Sequence, residues 1–443
     1  MLINHTVTQT VTQTMRFLTS RHLNLRPTPR RQVPPPQPNH SYTLYAHVPF
    51  CESLCPYCSF NRFLFQEGRA RAYFQQLRVE MRLVASQGYR FQTLYIGGGT
   101  PTVLVDELIE TIELAHRLFP LTDVSCETNP NHMTPENVRR LSPYIQRMSV
   151  GVQSFNDLHL KHMLRYDRFG SGADILRQLA LVQDQFKFLN IDLIFNLPGQ
   201  TEEQLLEDVA QSCRSGANQI TFYPLMSSPS VSQALRTTLG QPNYANERRF
   251  YDLIVSAMQD RFQLSTVWNF GERAAADASS GADDAMIDEY IINYAEYVGI
   301  GSGAFSYLDG RLYVNTFSVN EYAWQVQAGH MALTAEAAFG RREQMLYRFM
   351  MDLFGLQLDK IKFRRDFGVS VDTVLAPEIT LLSLAGAFSR NDRTAITLSG
   401  RGRYLLLIMM REFFVGMNTV RDQARAALPE TERLQLCATI PTS

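Results

Sequence analysis

Three cysteines, Cys51, Cys55 and Cys58, fall within eight residues, directly after an apolar run that reads as a strand. Thiolates this close together suit iron–sulfur or zinc chemistry, because both take soft sulfur ligands. A structural zinc ion normally needs four ligands, and later candidates are poor, since position 60 is Phe60 and the next cysteine is Cys126. Three thiolates on a four-iron cubane leave one iron open to a small chelating molecule.

Polar and glycine motifs recur where later strand-like runs end. The first is Tyr95-Ile96-Gly97-Gly98-Gly99-Thr100-Pro101-Thr102, whose glycines let backbone amides approach a ligand closely. Glu127 follows in Cys126-Glu127-Thr128-Asn129-Pro130. Gln153, in Ser149-Val150-Gly151-Val152-Gln153-Ser154-Phe155, offers both donor and acceptor. Arg165 lies in Met163-Leu164-Arg165-Tyr166-Asp167, and Asp192 in the strand-to-loop string Asn190 to Thr201. A late glycine motif runs from Gly299 to Ser306.

The elements that must position these residues alternate. Strand-like runs at Thr43–Val48, Gln92–Ile96, Asp123–Cys126, Arg147–Val150, Phe188–Phe195 and Gln219–Tyr223 are separated by amphipathic stretches such as Ala70–Ala85 and Val105–Phe119. A β-α repeat at this spacing predicts an α/β fold whose parallel sheet is closed or partly closed by outer helices, with the functional edge in the βα loops. The pattern weakens over Ser227–Asp288, which includes the Ala/Gly/Asp-rich segment Ala274–Asp284, and stops beyond Phe339. Three regions result: a flexible Arg/Pro-rich arm over 1–42, a catalytic domain over 43–334, and a small, mainly helical accessory domain over 335–443.

Composition narrows the partners. The 443 residues carry a formal net charge of -1, which gives no global electrostatic case for nucleic acid or an anionic membrane. No run is long and apolar enough to span a bilayer, and the opening residues lack the form of a signal peptide. Six cysteines in a chain of this size argue for a reducing cytoplasm rather than a disulfide scaffold.

The cysteine loop, with Tyr57 before its third cysteine, resembles the signature loop of the radical SAM superfamily. The string Tyr45-Ala46-His47-Val48-Pro49-Phe50-Cys51 is similar to its coproporphyrinogen dehydrogenase-like branch. The resemblance spans roughly residues 43–430. It implies a partial (β/α)6 barrel, a [4Fe–4S] cluster on Cys51, Cys55 and Cys58, and S-adenosylmethionine (SAM) bound on its open iron. Tyr45, Tyr57, Gly98, Gly99, Thr100, Glu127, Gln153, Arg165 and Asp192 are the residues it implies around SAM. The chain departs from the branch at Leu164 and Asn196, where glycine is usual, and at Asp167 and Phe305, where histidine is.

Within the branch, the coproporphyrinogen oxidases carry a further cysteine where this chain has Phe60, and haem chaperones are usually shorter and keep the standard motifs more closely. The missing cysteine, the N-terminal extension and Ser59-Phe60-Asn61-Arg62-Phe63 most resemble the anaerobic haem-degrading radical SAM methyltransferases (anaerobilin synthases). That resemblance implies haem opened to a linear tetrapyrrole with methyl transfer, and a flavodoxin-type electron donor. A tetrapyrrole needs an apolar cleft with cations for its propionates. The candidates are Arg26, Arg30 and Arg31 for the propionates and Tyr223, Trp268, Phe270 and Phe305 at the barrel mouth, with His40 and His47 as possible approaches to the iron. His47 also shares a strand face with Tyr45, which suits a role supporting the cysteine loop.

Overall fold

The computed structural model describes residues 9–16, 23, 25–38, 40–241, 243–273 and 296–436. Six strands run parallel, each hydrogen-bonded to the next: β1 (Tyr42–Val48), β2 (Phe91–Gly98), β3 (Asp123–Thr128), β4 (Arg147–Gln153), β5 (Phe188–Phe195) and β6 (Gln219–Pro224). All seven residues of β1 are buried, as expected of a strand covered on both faces. Beyond β1, β7 (Glu296–Ile300) continues in parallel, and β8 (Phe305–Leu308), β9 (Arg311–Asn315) and β10 (Leu333–Ala338) follow as an antiparallel meander. Antiparallel strands Asn269–Glu272 and Phe262–Leu264 finish the other side, so the sheet of thirteen strands stays open as a partial barrel.

The crossover helices begin where local chemistry dictates. They include α1 (Glu67–Ser86), α2 (Val105–Leu118), α3 (Pro135–Leu141), α4 (Gly172–Ala180) and α5 (Glu202–Arg214). Thr134 caps α3, while Ser171 with Asp174 and Thr201 with Gln204 form capping boxes on α4 and α5. Helix α2 has Asp106 and Glu107 in its first turn and His116 and Arg117 in its last, matching both ends of its dipole.

Two expected boundaries move. Residues 26–27 form an edge strand paired with β10, Arg26 opposite Glu336, so this part of the arm is built into the sheet. The Pro34 carbonyl accepts the Tyr89 hydroxyl at 2.6 Å, the Arg31 carbonyl accepts the Met331 amide at 2.8 Å, and Val33 is buried. The division at 334/335 falls inside β10, because that strand pairs with β9 from Asn315 to Arg311.

After β10, α6 (Arg341–Phe354) and the 27-residue α7 (Gly400–Ala426) flank a small antiparallel sheet of Gln357–Asp359, Ala395–Leu398 and Phe388–Asn391. The apolar run Tyr404–Ile408 is buried against the core, and no helix among the described residues is long and apolar enough to cross a membrane. The segment Ala274–Asp284 lies outside the described residues.

Candidate active site

At the C-terminal ends of the parallel strands lies a cavity of about 350 Å³. Cys51, Cys55 and Cys58 line it together with Tyr45, Tyr57, Gly98, Gly99, Glu127, Gln153, Arg165 and Asp192. Side chains separated by up to 147 positions are brought together because each sits in the middle or at the end of a parallel strand or in the segment that follows it.

The cysteine loop is braced from several sides. Arg62 is buried and donates from Nη2 to the carbonyls of Cys55 (2.6 Å) and Cys58 (2.9 Å). His47 is fixed by Tyr45 Oη at Nδ1 (2.8 Å) and by the Asn61 carbonyl at Nε2 (2.9 Å), and burial lowers its pKa to about 4. Asn61 in turn donates to the carbonyls of Ser302 and Phe317, both at 3.2 Å. The Tyr45–His47 pairing is the supporting role that their shared strand face suggests. With both ring nitrogens engaged, His47 is not free to ligate a haem iron, and His40 is exposed beside Tyr42, off the cavity wall.

Arg165 ties this loop to the barrel. Its Nη2 donates to the Gly151 carbonyl and to Asn129 Oδ1 (3.0 Å), and its Nη1 reaches Tyr57 Oη (3.3 Å) and Cys55 Sγ (3.5 Å). Glu127 accepts from Tyr95 Oη (2.8 Å) and from the Gly98 amide (2.9 Å). Asp192 accepts from Ser149 Oγ and Asn190 Nδ2, both at 2.8 Å. Gln153 sits at a register shift in β4 with φ of 73°, a strained position for a residue with a Cβ.

The glycine loop works differently from expectation. A Cβ on Gly98 would come within 2.5 Å of the His47 ring, and one on Gly99 within 2.5 Å of the Phe50 carbonyl oxygen. These glycines therefore make room for the cysteine loop itself, and the Gly98 amide is already taken by Glu127. Thr100 is not on the cavity wall; it donates to Cys51 Sγ at 3.5 Å and accepts from Asn129 Nδ2 at 2.7 Å.

Of the substrate candidates, Tyr223 and Phe305 line the cavity and the others do not. Trp268 is buried among Tyr223, Phe354 and Phe414, and Phe270 lies in a strand against the Phe222 ring, so both are core. Arg26 is on the edge strand, Arg30 pairs with Glu336 at 3.2 Å, and Arg31 meets His330 at 2.9 Å, which removes all three from the site. The cations actually present are Arg62, Arg165 and Arg421. Phe414, Asn418 and Arg421 line the cavity at i, i+4, i+7 spacing on α7, a helical face that was visible in the sequence. Arg421 lies 4.5 Å over the Phe60 ring.

The radical SAM superfamily model matches residues 45–211. These residues form a radical SAM domain. Heme chaperone HemW of Bacillus subtilis is 27% identical over 388 residues, covering 82% of this chain and 96% of that protein. An oxygen-independent coproporphyrinogen III oxidase of Bradyrhizobium diazoefficiens is 32% identical over 185 residues, 39% of this chain and 40% of its own length. The solved coproporphyrinogen III oxidase HemN of Escherichia coli superposes with a TM-score of 0.70 at 21% identity, over 85% of this chain and 91% of that one. The curated relatives similar to this radical SAM domain are thus heme chaperones and coproporphyrinogen oxidases, and the fold is that of the solved HemN. The expected haem-cleaving methyltransferase is overturned here, because the relatives that correspond over most of the chain are heme chaperones.

The superfamily's cofactors are a [4Fe–4S] cluster and SAM, and the residues of this chain fit them. All three loop thiols are free, and among the described residues no three His, Cys, Asp or Glu side chains converge as a single ion would need. A cluster asks less, since each thiolate takes its own iron. Ser59 Oγ, Arg62 Nε and Arg165 Nε are buried beside the loop without a protein partner. Buried donors in that state are rare, and an anionic iron–sulfur group is a fitting acceptor. Burial pushes the Cys51 thiol up to about 12, so taking iron means giving up a proton there.

Proposed function

We propose that this chain is a haem-handling radical SAM protein of the heme chaperone kind, which takes up haem and passes it to acceptor proteins. The reading is carried by the correspondence with the Bacillus subtilis heme chaperone, which extends over 96% of that protein instead of ending with the radical SAM domain. Phe60 supports it, because the decarboxylating branch members keep a cysteine there. Here the ring lies beneath Arg421 and the Phe60 carbonyl accepts from Arg425 at 3.2 Å.

In this reading Cys51, Cys55 and Cys58 hold the cluster, with Arg62 and Arg165 offsetting its negative charge. Glu127 takes the amino group of SAM, while Gln153 and Asp192 hold its ribose side. When bound, the cluster would supply an electron, received from a flavodoxin-type donor, for reductive cleavage of SAM. The buried aromatic and aliphatic walls keep water from the site.

The test is anaerobic titration of haem into the cluster-reconstituted protein, followed by addition of an apo-haemoprotein. A saturable, shifted Soret band that moves to the acceptor supports the reading. Failure to take up haem, with SAM-dependent release of carbon dioxide from coproporphyrinogen, would overturn it in favour of a decarboxylase.

A further inference from the structure

A second cavity, of about 450 Å³, adjoins the cysteine cavity, and the two share Phe305, Phe414 and Arg421 on their walls. It is enclosed by the β8–β9 hairpin, by α6 and by α7, with helical residues 9–16 covering part of it. That cover is tied down by Arg16, whose Nε donates to the buried Glu412 carboxylate at 2.6 Å. Aromatic rings follow one another along the wall: Tyr307 to Tyr347 at 5.4 Å, Tyr347 to Phe413 at 6.0 Å, and Phe413 to Phe414 at 5.5 Å. Protein interiors carry few voids larger than a water molecule, and a space of hundreds of cubic ångströms lies in the range of small-molecule sites.

The lining defines what would fit. It is chiefly apolar, with thioethers from Met15, Met350, Met409 and Met417 and no imidazole or thiol among its described residues. Its charges sit in two places. Arg421 stands where the two cavities meet, and the Arg342–Glu378 ion pair and the neighbouring Glu343 border the chamber away from it, with the Arg342 side chain 56% exposed. A flat, largely apolar molecule with a carboxylate at one end matches this arrangement.

We propose that this chamber seats a tetrapyrrole macrocycle against the Tyr307–Tyr347–Phe413 wall, with Arg421 taking a propionate at the opening into the cysteine cavity. The proposal rests on the haem-handling reading and adds to it a place and a mode of binding. The hold comes from apolar contact and one charge-assisted carboxylate pair, so the macrocycle matters more than its metal.

The experiment titrates haem into the full-length, cluster-reconstituted protein and follows the Soret band, with metal-free protoporphyrin IX as competitor. Protoporphyrin is expected to compete with an affinity within about tenfold of haem's, because no imidazole or thiol lines the chamber among its described residues. Leu346→Trp and Met409→Trp place an indole in the chamber from α6 and from α7, and each is expected to weaken both porphyrins by roughly tenfold or more. Arg421→Met is expected to weaken them by roughly 10- to 100-fold through loss of the charged pair. Iron content and thermal unfolding report whether each variant has folded. Haem binding of parental strength in either folded tryptophan variant overturns the chamber and leaves the haem-handling reading standing. Failure of protoporphyrin to compete overturns the mode of binding. If the parent takes up neither porphyrin, the functional reading itself falls.

Discussion

Glu80 offers a sharp test of how burial sets charge in this fold. It lies on α1, fully buried, and accepts from Tyr322 Oη (2.7 Å), the Gly301 amide (2.7 Å) and Asn315 Nδ2 (3.4 Å). Those donors are all neutral. Burial pushes its carboxyl from 4.5 up to about 7, against the opposing pull of these hydrogen bonds. An acid whose pKa is higher folded than unfolded keeps its proton in the native state after the unfolded chain has lost it. Stability from this group is therefore complete below about pH 4.5, drains away as pH rises towards 7, and is flat above that. The drop amounts to roughly 3 kcal/mol at ~1.4 kcal/mol per tenfold. Glu80→Gln removes the titration but turns an amide donor into the same pocket, at a cost of about 1 kcal/mol. The variant should therefore be close to the parent in stability near pH 5, where the parent has already lost about 1 kcal/mol, and about 2 kcal/mol more stable near pH 8. Urea unfolding of both proteins from pH 5 to 8 measures this directly, and the opposing titration of His47 cancels in the difference. A stability difference that stays constant with pH would refute the reasoning, since it would mean the carboxyl is ionised throughout.

Other perturbations test the site. Leu164 holds φ of 56°, so Leu164→Gly should relieve about 1–2 kcal/mol of backbone strain and leave urea stability unchanged or higher despite glycine's entropy, and a loss above about 1 kcal/mol counts against it. Arg62→Met strips the donor from two cysteine carbonyls at about 1.5–3 kcal/mol each, so iron and sulfide per chain should fall and chelators should remove the cluster faster. An unchanged cluster in that variant would show that Arg62 does not brace the loop. Glu127→Gln should weaken SAM binding by roughly 10- to 100-fold in equilibrium dialysis while iron content stays at the parental level. Equal SAM affinity in the two proteins would remove Glu127 from the amino-group role.

The barrel was legible because its strands are buried on both faces and its helices announce their starts with caps. Thus β1 and β5 stand out as largely apolar runs, interrupted only by Thr43, His47, Asn190 and Asp192, and Ser171 and Thr201 mark the helices that follow β4 and β5. The departures from the branch were legible as substitutions, and the backbone explains two of them: Leu164 and Asn196, at glycine positions, both adopt positive φ. Asparagine tolerates that region better than leucine does. Contacts between distant segments were not legible. Local sequence could not say that Gly98 and Gly99 make room for His47 and Phe50 rather than for a ligand. Nor could composition separate Trp268, packed in the core, from Phe305, which faces both cavities. The arginines of the N-terminal arm were misplaced because edge-strand pairing with Glu336 is a tertiary choice, whereas Arg421 follows from a helical face that begins at Phe414.

The hydrogen bond from Asn61 to the Phe317 carbonyl spans 256 residues of chain. On a ribosome adding ~5–20 residues per second, the cysteine loop emerges roughly 13–50 s before that partner exists. During that interval the three thiols hang on a segment whose clasp has not been made. Cluster loading during translation would therefore meet a loop without its final shape, so the order of events in the cell favours insertion after synthesis, once residues 301–317 have closed over the loop.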